Sequence, residues 1–206
     1  MKFSEIIIKA LRITLIPGIE WKTIAEERES KKEILWGFAF PIILFSAIGR
    51  DIGLFFVVKP VLGFTLNLAL MLFFNLLSWV VIPYLLVLIG TFMLNFSLPS
   101  LGIETDYIRT LRLVIYSFTP LFIVTFFVYL HPLLRILIPI GFFVFMAYTL
   151  YVFWYGLKEL YQIPLEKKFR FVIIAIVWAF LVIFIAQHLY GLLLGLVMPG
   201  MEAYVK

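Results

Sequence analysis

Cysteine is absent from all 206 residues, which excludes disulfides, thiolate nucleophiles and Cys-ligated metals. Charge is scarce too. Asp, Glu, Lys and Arg make up 14% of the chain, against about 25% in a soluble domain. From residue 64 onward, the middles of the apolar runs hold no Asp, Glu, Lys or Arg. Membrane enzymes and ion-coupled transporters keep such groups inside the bilayer because charge there is costly and has to be used. Their scarcity counts against proton- or sodium-coupled transport and against proteolysis by an aspartate pair. No His-x-x-Glu-His, Gly-x-Ser-x-Gly or Walker-type loop occurs. No enzyme activity, cofactor or metal site is therefore expected. Internal repeats, low-complexity tracts and long linkers are also missing, and the start does not read as a signal peptide, because Glu5, Lys9 and Arg12 interrupt any apolar core.

What the chain has is apolar surface. It is 64% hydrophobic with a mean hydropathy of +1.11, more than a soluble fold of this length can bury. The expected class is all-α: a polytopic membrane helix bundle of five spans over residues 31–206, preceded by two short amphipathic surface helices in residues 1–30. A span needs about 20 apolar residues, and the runs fall at 34–48 or 34–58, 64–94, 113–130, 136–157 and 171–196. The first run is ambiguous. Either Arg50 snorkels to the interface, or the helix continues to Lys59-Pro60 and carries Arg50-Asp51 within the bilayer. Thirteen of the 17 Lys and Arg residues fall in the segment before the first run and in the alternate loops 95–112 and 158–170; the other four fall opposite. That asymmetry predicts a multi-pass protein of the cytoplasmic membrane with its N-terminus in the cytoplasm and its C-terminus outside. The basic balance then points to anionic lipid headgroups rather than nucleic acid.

The first 30 residues read differently. Phe3, Ile6, Ile7, Ala10, Leu11 and Ile13 recur at helical spacing around Glu5, Lys9 and Arg12, the pattern of a helix lying on a membrane. Pro17 opens a second helix, with Trp21 expected at headgroup level. Ser30 and Glu33 form a capping-box pattern for the first span.

Three sets of candidate residues follow. Trp21, Lys22, Glu27, Arg28, Lys167, Lys168 and Arg170 are candidates for contact with lipid or a partner. Glu26 or Glu27 is within reach of the basic 158–170 segment, although a solvated helix face is the plainer reading. In the second run Asn67, Met71, Asn75 and Ser78 share one helix face. With Ser117 and Thr119 of the third run, and Thr125 beyond them, this makes either interhelical glue, the preferred reading, or a polar furrow. Arg50, Asp51, His131, Arg135 and His188 lie toward the opposite rim. They read as scattered boundary residues first and a headgroup-phosphate cluster second. Gly191-x-x-x-Gly195 permits close helix approach and a homo-oligomer.

The ordered features resemble one family. Ile24-Ala25-Glu26-Glu27-Arg28-Glu29-Ser30 is followed by Pro41 and Ile48-Gly49. Tyr107, Arg112 and Tyr116-Ser117-Phe118-Thr119-Pro120-Leu121 come next, then Tyr129-Leu130-His131-Pro132. Last are Tyr155-Gly156-Leu157, Leu160-Tyr161-Gln162-Ile163 and Glu166-Lys167-Lys168. Together they are similar to the Yip family (Ypt/Rab-interacting protein domain), especially its bacterial and archaeal members of unknown function. The resemblance implies a five-span bundle with a cytoplasmic N-terminus, and it matches Glu27, Tyr116, Pro120 and Gly156 to the family's recurring residues. Eukaryotic relatives work in early secretory traffic, contact Rab-type GTPases and influence membrane shape. The expected role is non-enzymatic: binding or organising lipid, or scaffolding an unidentified protein partner, at the cytoplasmic face. The alternative is a transporter, channel or lipid scramblase using the furrow on the second span.

Overall fold

A computed structural model describes residues 2–62, 66–130 and 138–197. Every element among them is helical: α1 (Phe3–Leu15), α2 (Pro17–Glu26), α3 (Phe40–Leu62), α4 (Leu66–Ser97), α5 (Tyr107–Leu130), α6 (Ile138–Tyr161) and α7 (Leu165–Val197). Among the described residues, three stretches are long and apolar enough to cross a membrane: Glu33–Pro60, Leu68–Leu101 and Tyr107–Tyr129.

Local chemistry sets the boundaries. Pro17 sits in the first turn of α2, where its missing N–H costs nothing. The Ser30–Glu33 capping box forms: the Ser30 N–H and hydroxyl reach Glu33 Oε2 at 2.8 and 2.7 Å, and the Glu33 N–H reaches Ser30 Oγ at 3.3 Å. A π-helical stretch, Glu33–Ala39, then leads into α3. Pro41 lacks the N–H that would bond the Gly37 carbonyl, and the turn before it widens so that the Phe40 N–H bonds Leu35. The helix runs unbroken past Arg50 and Asp51 to Leu62.

The expected loops shrink. Between α4 and α5 a short 3-10 turn, Leu98–Leu101, ends at Gly102 in the left-handed region (φ 62°). Arg109 and Arg112 stand in the first turns of α5. Only residues 162–164 separate α6 from α7, so Lys167, Lys168 and Arg170, expected in a loop, belong to the start of α7. Helix formation continues wherever no breaker intervenes, and Pro164 is the breaker here.

The core gathers at the end of the bundle that carries α1 and α2. Trp21, Phe38, Leu111, Leu113, Tyr116 and Phe171 are buried there with almost no accessible surface. Two glycines set helix spacing. A Cβ on Gly49 of α3 would lie 2.8 Å from the Phe126 Cα of α5, and one on Gly156 of α6 would lie 2.6 Å from Leu113 and 2.7 Å from the Trp21 ring. Gly49 thus lets α3 and α5 meet backbone to backbone, with the Phe45 and Phe126 rings stacked beside it at 3.9 Å.

Gly49→Ala is expected to destabilise the detergent-solubilised protein by about 1–3 kcal/mol, the usual cost of overpacking. Gly37→Ala, whose Cβ meets nothing within 4 Å, is the control and leaves the melting temperature unchanged or raised. Thermal unfolding followed by circular dichroism separates the two.

Candidate functional site

The polar side chains concentrate where α1 and α2 meet α5 and α6. Lys9 projects from the inner side of α1, beside Ile6, Ala10 and Ile13, and is 7% exposed. A lysine at such a place needs a partner. Its Nζ donates to Glu27, and to Glu29 Oε1 at 2.9 Å. The Tyr116 hydroxyl of α5 donates to Glu29 Oε2 at 2.6 Å. The Lys9 ammonium also lies 4.7 Å from the centroid of the Tyr116 ring. One lysine, two carboxylates and one phenol thus form a closed cluster.

The carbonyl ends of both short helices are held by the bundle. A helix leaves its last carbonyls without partners. The Tyr148 hydroxyl of α6 donates to the Thr14 carbonyl at the end of α1. Arg112 of α5 donates to the Ile24 and Glu27 carbonyls at the end of α2, at 3.0 and 2.8 Å. α2 has no basic residue in its own last turn, so a residue 88 positions away supplies the cation that its terminus favours. Glu20, nearly enclosed on α2, has its carboxyl pushed up from its ordinary value by burial, against the pull of Arg12 and Lys9. Through this residue, docking is favoured below about the ordinary carboxylate range and weakens as pH rises through the raised value.

Trp21, expected at headgroup level, is buried instead. Its ring packs edge-on to Tyr116, with centroids 6.0 Å apart, in the slot left open by Gly156. The absence of a Cβ at residue 156 lets a large aromatic ring enter the bundle. Glu27 turns to Lys9 rather than toward α7. Glu26 lines a polar cleft of about 480 Å³ with Lys22, Asp106, Arg109, Glu159 and Gln162. Arg28 is exposed. Lys167 reaches the Gly102 carbonyl at 3.3 Å, and Arg170 pairs with Glu166 of its own helix.

Among the described residues of the furrow set, Ser78 and Thr125 line one cavity, whereas Asn75 turns to α3. Asn75, 5% exposed, donates to Asp51 of α3. Ser78 bonds the Phe74 carbonyl and Thr119 the Ile115 carbonyl of their own helices. Ser117 is fully buried. The Asn67 side chain lies outside the described residues. The furrow and rim sets thus meet where Asn75 bonds Asp51, while Arg50 lies over the Trp79 and Tyr129 rings at 3.5 and 4.6 Å. His188 stays on α7, with Nδ1 2.8 Å from the Phe184 carbonyl. His131 and Arg135 lie outside the described residues. Gly191 is exposed, and a Cβ there would meet nothing within 4 Å; the surroundings of Gly195 are not described.

Sequence reasoning missed the Lys9 cluster. Lys9 follows Ile6 by three positions and precedes Ile13 by four, and that placement on the inner stripe was the available signal.

A family model described as the Yip1 domain matches residues 11–187. No curated protein and no solved structure matches the chain.

Lys9→Met leaves Glu27 and Glu29 without their cation, and breaking a buried ion pair by removing one partner costs about 3–5 kcal/mol. The expected result is rapid amide exchange and proteolysis across residues 1–30 while the rest of the bundle keeps its protection. Lys22→Met, which removes an exposed cation, leaves exchange in that segment as it was. Equal protection in the two variants contradicts the assignment.

Proposed function

The chain belongs to the Yip1 domain family, and from that premise we propose that it is a non-enzymatic, five-span membrane protein that organises lipid at the cytoplasmic face through its α1–α2 platform. The N-terminus stands in the cytoplasm and the C-terminus outside, as the distribution of Lys and Arg argues. α6, with 24 residues, and α7, with 33, supply the fourth and fifth spans.

One observation carries this reading: α1 and α2 present two apolar faces. The inner face, with Ile6, Ala10, Ile13, Trp21 and Ile24, packs on the bundle. The outer face, with Phe3, Ile7, Leu11, Leu15, Ile16 and Ile19, remains exposed, Leu15 at 72% and Ile19 at 65%. A contiguous apolar surface on a fixed support marks an interaction site. In a membrane protein, lipid is the surrounding apolar phase, so the platform sinks this face into the boundary between headgroups and acyl chains. Lys2, Arg12, Lys22, Arg28, Lys31 and Lys32 are exposed around it. Each basic residue at such a surface contributes about 1 kcal/mol of attraction to anionic lipid. Lys9 is excluded from that sum because its charge is already taken by Glu27 and Glu29.

Because the chain has no cysteine, Leu15→Cys gives a single labelling position on the full-length protein. Reconstituted into vesicles, a dye at residue 15 is expected to be quenched by quenchers attached to lipid chains. It is also expected to transfer energy to labelled anionic lipid more than to labelled zwitterionic lipid, with the difference shrinking as salt rises. A dye quenched only from water, or equal transfer to both lipids at every salt concentration, refutes the proposal.

A further inference from the structure

Helices α3 to α7 line a partly open cavity of about 370 Å³, more than twice the roughly 150 Å³ of an apolar cavity that accepts benzene. Among the described residues its walls carry no charged side chain. On α4 the lining runs from Ser78 to Leu94, sixteen residue steps or about 24 Å at 1.5 Å per residue. One leaflet offers only about 15 Å of hydrocarbon depth. The space is therefore long and narrow, the shape of one extended chain, and its volume lies at the lower end of the roughly 300–1,000 Å³ of ligand sites.

One side chain in its wall points to what fills it. Four hydroxyls on these helices bond the carbonyl four residues back, Ser78 to Phe74, Thr91 to Val87, Thr119 to Ile115 and Thr125 to Leu121, while Ser117 Oγ, away from the cavity, is buried without a partner. Thr149 of α6 lines the cavity, is 3% exposed, and its Oγ1 has no hydrogen-bond partner. A buried hydroxyl left unmade costs about 1–3 kcal/mol, and an acceptor inside the cavity removes that cost. Gly90, also in the wall, adds to the space, since a Cβ there would meet nothing within 4 Å.

We propose that this cavity binds an uncharged single-chain lipid, with the hydrocarbon along the α4 wall and one of its hydroxyl or carbonyl oxygens accepting from Thr149 Oγ1. A phosphate in this space would lie buried with no cation in the walls to meet it, which is prohibitive. A neutral lipid carries no such charge, and Thr149 gives it one directional contact. This site is separate from the α1–α2 platform, which meets lipid on its outer surface.

The test uses the full-length protein in lipid nanodiscs and two photoreactive probes with the same diazirine-bearing chain, a monoacylglycerol and a phosphatidylcholine. The monoacylglycerol is expected to label cavity residues such as Leu86, Met146, Leu150 and Val182. The phosphatidylcholine is expected to label outward-facing residues such as Phe92, Phe143 and Phe180. Gly90→Phe fills the cavity and abolishes the first labelling but not the second. Thr149→Val keeps the shape, removes the donor and lowers cavity labelling about fivefold, the worth of one hydrogen bond. If Gly90→Phe does not fold, the Thr149→Val comparison decides. Equal cavity labelling by both probes, monoacylglycerol label confined to outward residues, or unchanged labelling in Thr149→Val overturns the proposal.

Discussion

The structure depends on one charge being neutralised away from water. Lys9 stands on the inner side of α1, where only apolar residues would otherwise pack, and it is tolerable because Glu27 and Glu29 close over it and Tyr116 holds the second carboxylate. Isolated charge in such a place is unaffordable, so the segment after α2 has to fold back over α1, and both have to lie on α5. The cluster works as a registration device. Nonspecific apolar contact leaves an amphipathic helix free to slide, whereas this arrangement has one geometry.

The remaining contacts of the platform follow from that geometry. With Lys9 over the Tyr116 ring, the end of α1 meets Tyr148 and the end of α2 meets Arg112. Beyond the backbone bonds that close each helix, Ile16 N–H to Arg12 and Glu27 N–H to Thr23, each end takes a further donor from the bundle. Trp21 can enter beside Tyr116 only because residue 156 has no side chain. What remains outside is a second apolar stripe on the same short helices, accompanied by exposed cations. The proposed lipid-organising role rests on that surface.

The helical class, the long apolar helices, the Pro17 start and the Ser30–Glu33 cap were legible because each is written in adjacent residues. The closeness of residues 27 and 9 was not, because ion pairing across a chain reversal leaves no periodic trace. Trp21 was misplaced for a related reason: an aromatic near a basic cluster suits a headgroup boundary as well as it suits a slot, and the slot is defined by a glycine 135 positions away. Asp51 and Asn75 were assigned to separate sets, although continuation of α3 past Arg50 brings them into one hydrogen bond. Loop lengths were overestimated where Lys and Arg suggested an interface, since charged residues make good first turns of helices as readily as they make loops.

The central claim is that α1 and α2 form a fixed platform on the bundle and do not detach from it. Spin labels at Lys22→Cys and Lys158→Cys, both exposed positions on α2 and α6, measure this directly in the cysteine-free chain by electron–electron resonance in a native-like bilayer. A single narrow distance distribution is the predicted result, unchanged between anionic and zwitterionic lipid. A broad distribution, or two populations that shift with lipid charge, would show a detachable arm and contradict the account.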